Sequence, residues 1–243
     1  MRALPPIPDR LIVALDVETI GAARELVAKL DGVASFFKIG LWLFFEPGVN
    51  ALIDEIVASG KQVFLDYKMF DIGETVRRGV AAASRRGISF LTVHGDDDIM
   101  RAAVEGRGDS DLKVFAISVL TSLDDAAMAG MGYALNVQEL VALRVRNAVA
   151  CGMDGIIASP NDQPDRIRAL TGADRLLVTT PGIRLAGEGH QDQKRAGPPD
   201  RAVADGADYL VVGRPITGHA DPAERVRLII AEMERGWAQR KAA

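Results

Sequence analysis

The chain has 243 residues, and 29 Lys and Arg against 33 Asp and Glu leave a formal net charge of −4. That balance argues against a protein that grips nucleic-acid phosphates, whose domain carries a basic excess. Apolar residues make up 48% and charged residues 26%, far from disordered, collagen-like or membrane compositions.

At the start, Met1-Arg2-Ala3-Leu4-Pro5-Pro6-Ile7-Pro8 has prolines where a secretory signal needs an apolar helix former. No later stretch approaches the roughly 18 to 20 continuous apolar residues of a membrane span. The single cysteine, Cys151, cannot form an intramolecular disulfide, and His94, His190 and His219 show no zinc-ligand spacing. These features point to a cytoplasmic chain without a metal.

Short apolar, β-branched runs then recur at 11–16, 35–40, 62–68, 90–95, 113–120, 155–159, 176–181 and 209–215. They read as strands buried on both faces, the mark of a parallel sheet. Segments 19–30, 47–59, 74–86, 137–150 and 221–239 space their apolar residues three and four apart, as amphipathic helices do. Eight strands alternating with helices over this length predict a (β/α)₈ TIM barrel in one domain spanning 1–243, with a doubly wound open sheet as the alternative. Two observations favour the barrel. The turn after the first strand, Asp16-Val17-Glu18-Thr19, lacks a dinucleotide-type glycine fingerprint. Polar residues also recur at strand C-termini: Asp16, Lys38, Asp66, Lys68, His94, Thr121, Arg184 and Arg214. In a barrel those ends converge on the face where active sites are built. The connections 122–136 and 184–199 are long and rich in small residues, as binding loops or lids are.

The densest chemistry lies in Asp66-Tyr67-Lys68-Met69-Phe70-Asp71-Ile72-Gly73-Glu74-Thr75. A strand ending near Lys68 puts Asp66 and Lys68 on the same, inward face. A surface ion pair with a helix start is the bland alternative. Charges facing a barrel interior cost several kcal/mol per ion to desolvate, however, so they persist with compensation or for function. Asp16 and Lys38 close two further strands, and the four residues predict an alternating charge cluster at one barrel mouth. After the seventh and eighth strands, Thr180-Pro181-Gly182-Ile183-Arg184 and Val212-Gly213-Arg214-Pro215 predict a phosphate site of glycine backbone N–H groups and arginines. His94 reads as a structural histidine, and Asp96-Asp97-Asp98 as helix caps and dipole partners rather than metal ligands.

Asp66-Tyr67-Lys68-Met69-Phe70-Asp71-Ile72 with Thr75 resembles the Asp-x-Lys-x-x-Asp-Ile-x-x-Thr signature of the orotidine 5′-phosphate decarboxylase family. Leu15-Asp16-Val17, Phe37-Lys38-Ile39-Gly40, Thr92-Val93-His94, Leu120-Thr121-Ser122, Thr180 to Arg184, Asp192-Gln193 and Val212 to Ile216 follow in the family's order over nearly the whole chain. Phe70 and Gly73-Glu74 depart from it, since many relatives have His before the second Asp and Pro-Asn before the Thr. The resemblance implies a cofactor-free carboxy-lyase converting orotidine 5′-phosphate to uridine 5′-phosphate and CO₂ in pyrimidine biosynthesis. It implies Lys68 as proton donor, with Asp66, Lys38 and Asp71 completing the charge array. Asp16 and Lys38 would hold ribose hydroxyls and Thr121 the pyrimidine edge, while Gln193, Gly213, Arg214 and Arg184 would hold the phosphate. It also implies a homodimer, in which Asp71 and Thr75 reach the partner's site.

Two rivals remain at this stage. Metal-dependent sugar-phosphate decarboxylases or aldolases share Asp-x-Lys-x-x-Asp but carry a glutamate on the second strand, where Lys38 would repel Mg²⁺. A non-catalytic phosphate-binding barrel would gain little from carboxylates in its pocket.

Overall fold

The computed structural model describes residues 4–185 and 195–242. Eight parallel strands close into a barrel in sequence order: β1 (Leu11–Ala14), β2 (Phe36–Gly40), β3 (Gln62–Met69), β4 (Phe90–Val93), β5 (Lys113–Ile117), β6 (Gly155–Ile157), β7 (Leu177–Thr180) and β8 (Tyr209–Val212). Closure comes from β8 pairing with β1, Leu210 opposite Leu11 and Val212 opposite Val13. This is the TIM-barrel architecture, and the open-sheet alternative is excluded. Six of the strands stop short of the predicted ends, while β2 ends as predicted and β3 runs on to Met69: residues such as Asp16, His94 and Leu120 leave the ladder to build the loops of the mouth.

The predicted helices correspond to Ile20–Lys29, Val49–Ala58, Gly73–Ser84, Val137–Cys151 and Pro222–Ala242. Their starts have local causes. Thr19 Oγ1 accepts the Ala22 N–H, and Asn136 and Glu139 form a reciprocal capping box. The 122–136 connection departs from expectation because it contains the helix Asp125–Gly130. There the Asp124 carboxylate accepts the Ala127 N–H at 2.9 Å, a start signal hidden among small residues. Further helices not read from the sequence include Pro164–Thr171 and Pro199–Ala204.

Inside the barrel, side chains alternate with those facing the helices. The lower interior is aromatic: Phe36, Phe64, Phe90, Phe115 and Tyr209 pack with Ile12, Ala14 and Val211. Phe90 is central, with ring centroids 4.9 Å from Phe36, 4.5 Å from Phe115 and 5.0 Å from Tyr209. Gly155 is required here, since a Cβ on it would lie 2.1 Å from the Phe115 ring. Two residues farther along the same strands, this plug gives way to Lys38, Asp66 and Thr92, so the charged residues rest on a packed floor.

Candidate active site

A cavity of about 450 Å³ opens at the C-terminal mouth of the barrel. Asp16, Lys38, Asp66, Lys68, Thr121, Arg184, Gly213 and Arg214 all line it. Four of these residues form a continuous chain of charges. Lys38 Nζ lies 3.1 Å from Asp16 Oδ1 and 3.4 Å from Asp66 Oδ2. Asp66 Oδ1 then accepts from Lys68 Nζ at 2.8 Å. Lys38 and Asp66 are largely buried, whereas the Lys68 side chain is 41% exposed. The interior burial inferred from the sequence therefore holds for the first two and not for Lys68, which stands in the open cavity.

The energies explain why the buried pair stays charged. At an effective dielectric of about 20, each Lys38–carboxylate contact at these distances amounts to about 5 kcal/mol of attraction. Desolvation opposes it with several kcal/mol per ion. Burial alone would lower the Lys38 pKa, but Asp66 and Asp16 outweigh it and hold the ammonium above its ordinary value. Burial would likewise raise the Asp66 pKa, yet Lys38 and Lys68, with hydrogen bonds from Lys68 and Thr92, hold it below the usual carboxylate value.

Local backbone geometry sets the array. Across residues 65 to 69 of β3 the register against β4 shifts: Leu65 pairs with Leu91 and Met69 with Val93, so four steps along β3 match two along β4. Within this bulge Lys68 has φ 48°, in the left-handed region, where a non-glycine residue is uncommon. The pleat no longer dictates which way Lys68 points, so its meeting with Asp66 is a product of the bulge. Gly40 is a second local determinant. A Cβ there would lie 2.9 Å from Asp16 Oδ1 and 3.1 Å from Lys38 Nζ, so glycine leaves room for the pair.

In the same cavity, Arg184 is buried, with Nη1 donating to the Ile183 carbonyl at 2.8 Å. Arg214 begins the short helix Arg214–Thr217, directly after Gly213. A Cβ on Gly213 would lie 3.4 Å from both Ala14 Cβ and Asp16 Oδ2. Thr121 lies in a segment whose carbonyls are held by two arginines. Arg144 Nη1 donates to Ser118 O at 2.5 Å, and Arg195 Nη2 donates to Val119 O at 3.0 Å and Leu120 O at 3.2 Å. Arg195 is in turn paired with the buried Asp162, where burial pushes the carboxyl pKa up despite the guanidinium.

Asp71 and Thr75 are not brought into this cavity. Both are exposed, and Asp71 Oδ1 accepts the Ile72 N–H at 2.6 Å. Gln193, with Asp192 and His190, lies outside the described residues. His94 packs its ring 4.5 Å from that of Phe70 and pairs through Nδ1 with Asp96. Asp96 thus holds the N-cap position of helix Asp97–Arg107 without a side-chain cap bond, against the capping expectation. Asp97 instead accepts from Asn147 Nδ2 at 2.6 Å. Among the described residues, no group of three or more His, Cys, Asp and Glu side chains could hold a metal ion.

Sequence reasoning missed Trp42, Thr92 and Arg195. Trp42 lines the cavity with its indole N–H on Val17 O at 2.9 Å. Thr92 bonds both Asp66 and Lys68. Thr92 stood only within Thr92-Val93-His94 and Trp42 just beyond a strand end, whereas Arg195, fifteen residues past β7, had no local signal.

Comparison with known proteins agrees with this geometry. The family model described as orotidine 5′-phosphate decarboxylase / HUMPS matches residues 9–229. The chain is 47% identical to the orotidine 5′-phosphate decarboxylase of Rhodopseudomonas palustris (strain HaA2), covering 96% of this chain and 97% of that relative. It is 45% identical to the enzyme of the same name from Caulobacter vibrioides (strain NA1000 / CB15N), covering 92% and 97%. Among solved structures, orotidine 5′-phosphate decarboxylase from Lactobacillus acidophilus superposes with a TM-score of 0.80 at 31% identity, covering 93% of this chain and 99% of that one. The chain belongs to the orotidine 5′-phosphate decarboxylase / HUMPS family.

Proposed function

We propose that this chain decarboxylates orotidine 5′-phosphate to uridine 5′-phosphate and CO₂, the UMP-forming step of pyrimidine biosynthesis, with no metal or organic cofactor. One observation carries the reading: an unbroken Asp16–Lys38–Asp66–Lys68 chain of contacts in the same cavity as Arg184 and Arg214.

Loss of CO₂ from C6 leaves its electron pair on that carbon, which no neighbouring carbonyl or ring nitrogen can delocalise. Stabilisation must then be electrostatic and preorganised. The Lys68 ammonium, held by Asp66, supplies positive charge at the developing carbanion and transfers a proton to C6. Lys38 keeps Asp66 ionised and so keeps it available to Lys68. Asp16 and Lys38 bind ribose hydroxyls, and Thr121 takes the pyrimidine edge. Arg214, Gly213, Gln193 and Arg184 hold the phosphate, whose remote binding energy helps close the site around the partly exposed Lys68.

The whole chain acts as one catalytic domain, in the cytoplasm, as a homodimer with composite sites. Among the described residues, no helix is long and apolar enough to cross a membrane. The dimer is supported by an apolar surface around Asp71. Adjacent strands β2 and β3 lead into exposed Leu41, Trp42, Phe44 and Phe45 on one side and exposed Phe70 and Ile72 on the other. Patches of this kind mark protein–protein contacts, and the exposed Asp71 and Thr75 belong to the same stretch of chain as Phe70 and Ile72.

A metal-dependent sugar-phosphate reaction fits less well. Lys38 Nζ stands between Asp16 and Asp66, where a divalent cation would need those oxygens. The deciding assay follows the loss of orotidine 5′-phosphate absorbance with and without EDTA. Equal turnover in both supports the proposal; no turnover overturns it, and turnover abolished by EDTA favours the metal-dependent rival.

A further inference from the structure

Thr92 is fully buried on β4, and its hydroxyl makes two bonds at the centre of the array. Oγ1 accepts the Lys68 backbone N–H at 2.9 Å and donates to Asp66 Oδ1 at 3.0 Å. An amide N–H can only donate and a carboxylate can only accept. A hydroxyl, with one donor and two acceptor lone pairs, is able to join them.

These bonds fall where β3 departs from its register with β4. The left-handed conformation of Lys68 is unfavourable for a residue with a Cβ. Leaving its N–H unpaired would add to that cost. The Thr92 hydroxyl satisfies that N–H where the ladder is broken. It also fixes the rotation of the Asp66 carboxylate: Oδ1 is shared by Thr92 and Lys68, and Oδ2 is left toward Lys38.

We propose that Thr92 is a positioning residue that fastens the Lys68 backbone and the Asp66 carboxylate to one strand, so that the Lys68 ammonium stands at a fixed point in the cavity. This deepens the decarboxylase reading and rests on it. Thr92 does not line the cavity, so its effect belongs to the chemical step rather than to substrate binding.

The test compares Thr92→Val, which keeps the shape and removes both bonds, with Thr92→Ser, which keeps the hydroxyl. Thr92→Ala serves should the valine methyl not be accommodated. Steady-state kinetics on orotidine 5′-phosphate are read beside hydrogen exchange of the Lys68 amide. Loss of positioning should lower kcat about 100-fold in the Val or Ala variant, with KM within about 3-fold, while Ser stays within about 5-fold of the parent. The Lys68 amide should exchange faster in Val or Ala than in the parent and Ser. The proposal is overturned if the Val and Ala variants keep kcat within about 3-fold of the parent, if Ser is as slow as Val, or if only KM changes. Should the parent itself fail to turn over this substrate, the decarboxylase reading falls. The anchoring is then decided by exchange alone: equal Lys68 amide rates in parent and Val variant overturn it, and faster exchange in Val upholds it.

Discussion

Arg195→Ala would remove a guanidinium that ties the Val119–Leu120 part of the cavity wall to the buried Asp162. Arg195 is paired through Nη1 with Asp162, whose side chain is 0% exposed, and donates through Nη2 to the carbonyls of Val119 and Leu120. In the variant, Asp162 keeps the Ser159 N–H at 2.8 Å but loses its charge partner. Breaking a buried pair in this way costs about 3–5 kcal/mol. For a domain of this size that corresponds to a fall in Tm of roughly 10 °C. The loss should depend on pH with a definite sign. Burial already holds the Asp162 pKa above its ordinary value, and removing Arg195 raises it further, so the folded variant binds more protons than its unfolded chain. Its stability must then rise on acidification through the folded pKa, because a protonated carboxyl needs no counter-charge. Denaturant unfolding of parent and variant at about pH 8 and about pH 5 measures this. A ΔΔG below about 1 kcal/mol at pH 8, or one that grows toward pH 5, would refute the reasoning. With two carbonyls beside Thr121 released, KM for orotidine 5′-phosphate should also rise.

Asp66→Asn tests a carboxyl whose pKa is shifted the other way. The Asp66 pKa is lowered in the folded chain, so its stabilisation is complete above the unfolded value near 3.8 and is lost as pH falls through the folded value. The parent's unfolding free-energy advantage over the variant should therefore shrink between about pH 5 and about pH 3; a constant difference in denaturant titrations would count against the charge array. Gly155→Ala places a methyl into the Phe115 ring, and overpacking of that kind costs about 1–3 kcal/mol. A Tm within one degree of the parent would mean that the aromatic floor yields more easily than its packing implies. Finally, mixing inactive Lys68→Ala with inactive Asp71→Ala subunits should restore part of the activity if sites are shared. No recovery, with mixed dimers demonstrated, would remove Asp71 from the partner's site.

Much of the barrel was readable from local pattern, because strand and helix periodicities are properties of neighbouring residues. The eight apolar runs lie at the eight strands, and charged residues at their ends mark the mouth. The Asp125–Gly130 helix escaped because small residues carry little amphipathic signal, and its Asp124 cap resembles any loop aspartate. Asp16, Lys38, Asp66 and Lys68 were found by their place in the strands, but their contacts were not. Lys68 meets Asp66 through a bulge and a left-handed residue, neither of which has a signature in Asp-Tyr-Lys-Met.

The sequence by itself determined the eight strands, the amphipathic helices, the charge types and the end of the barrel on which they gather, since these follow from side-chain chemistry and short-range periodicity. Tertiary structure alone decided that Lys38 bridges two carboxylates, that Asp71 lies outside its own chain's cavity, and that Thr92 and Arg195 support the site. Those outcomes depend on which atoms the closed sheet brings within hydrogen-bonding distance of one another. Residues 24 to 76 positions apart in the chain, such as Lys68 and Thr92 or Val119 and Arg195, leave no local trace of that approach.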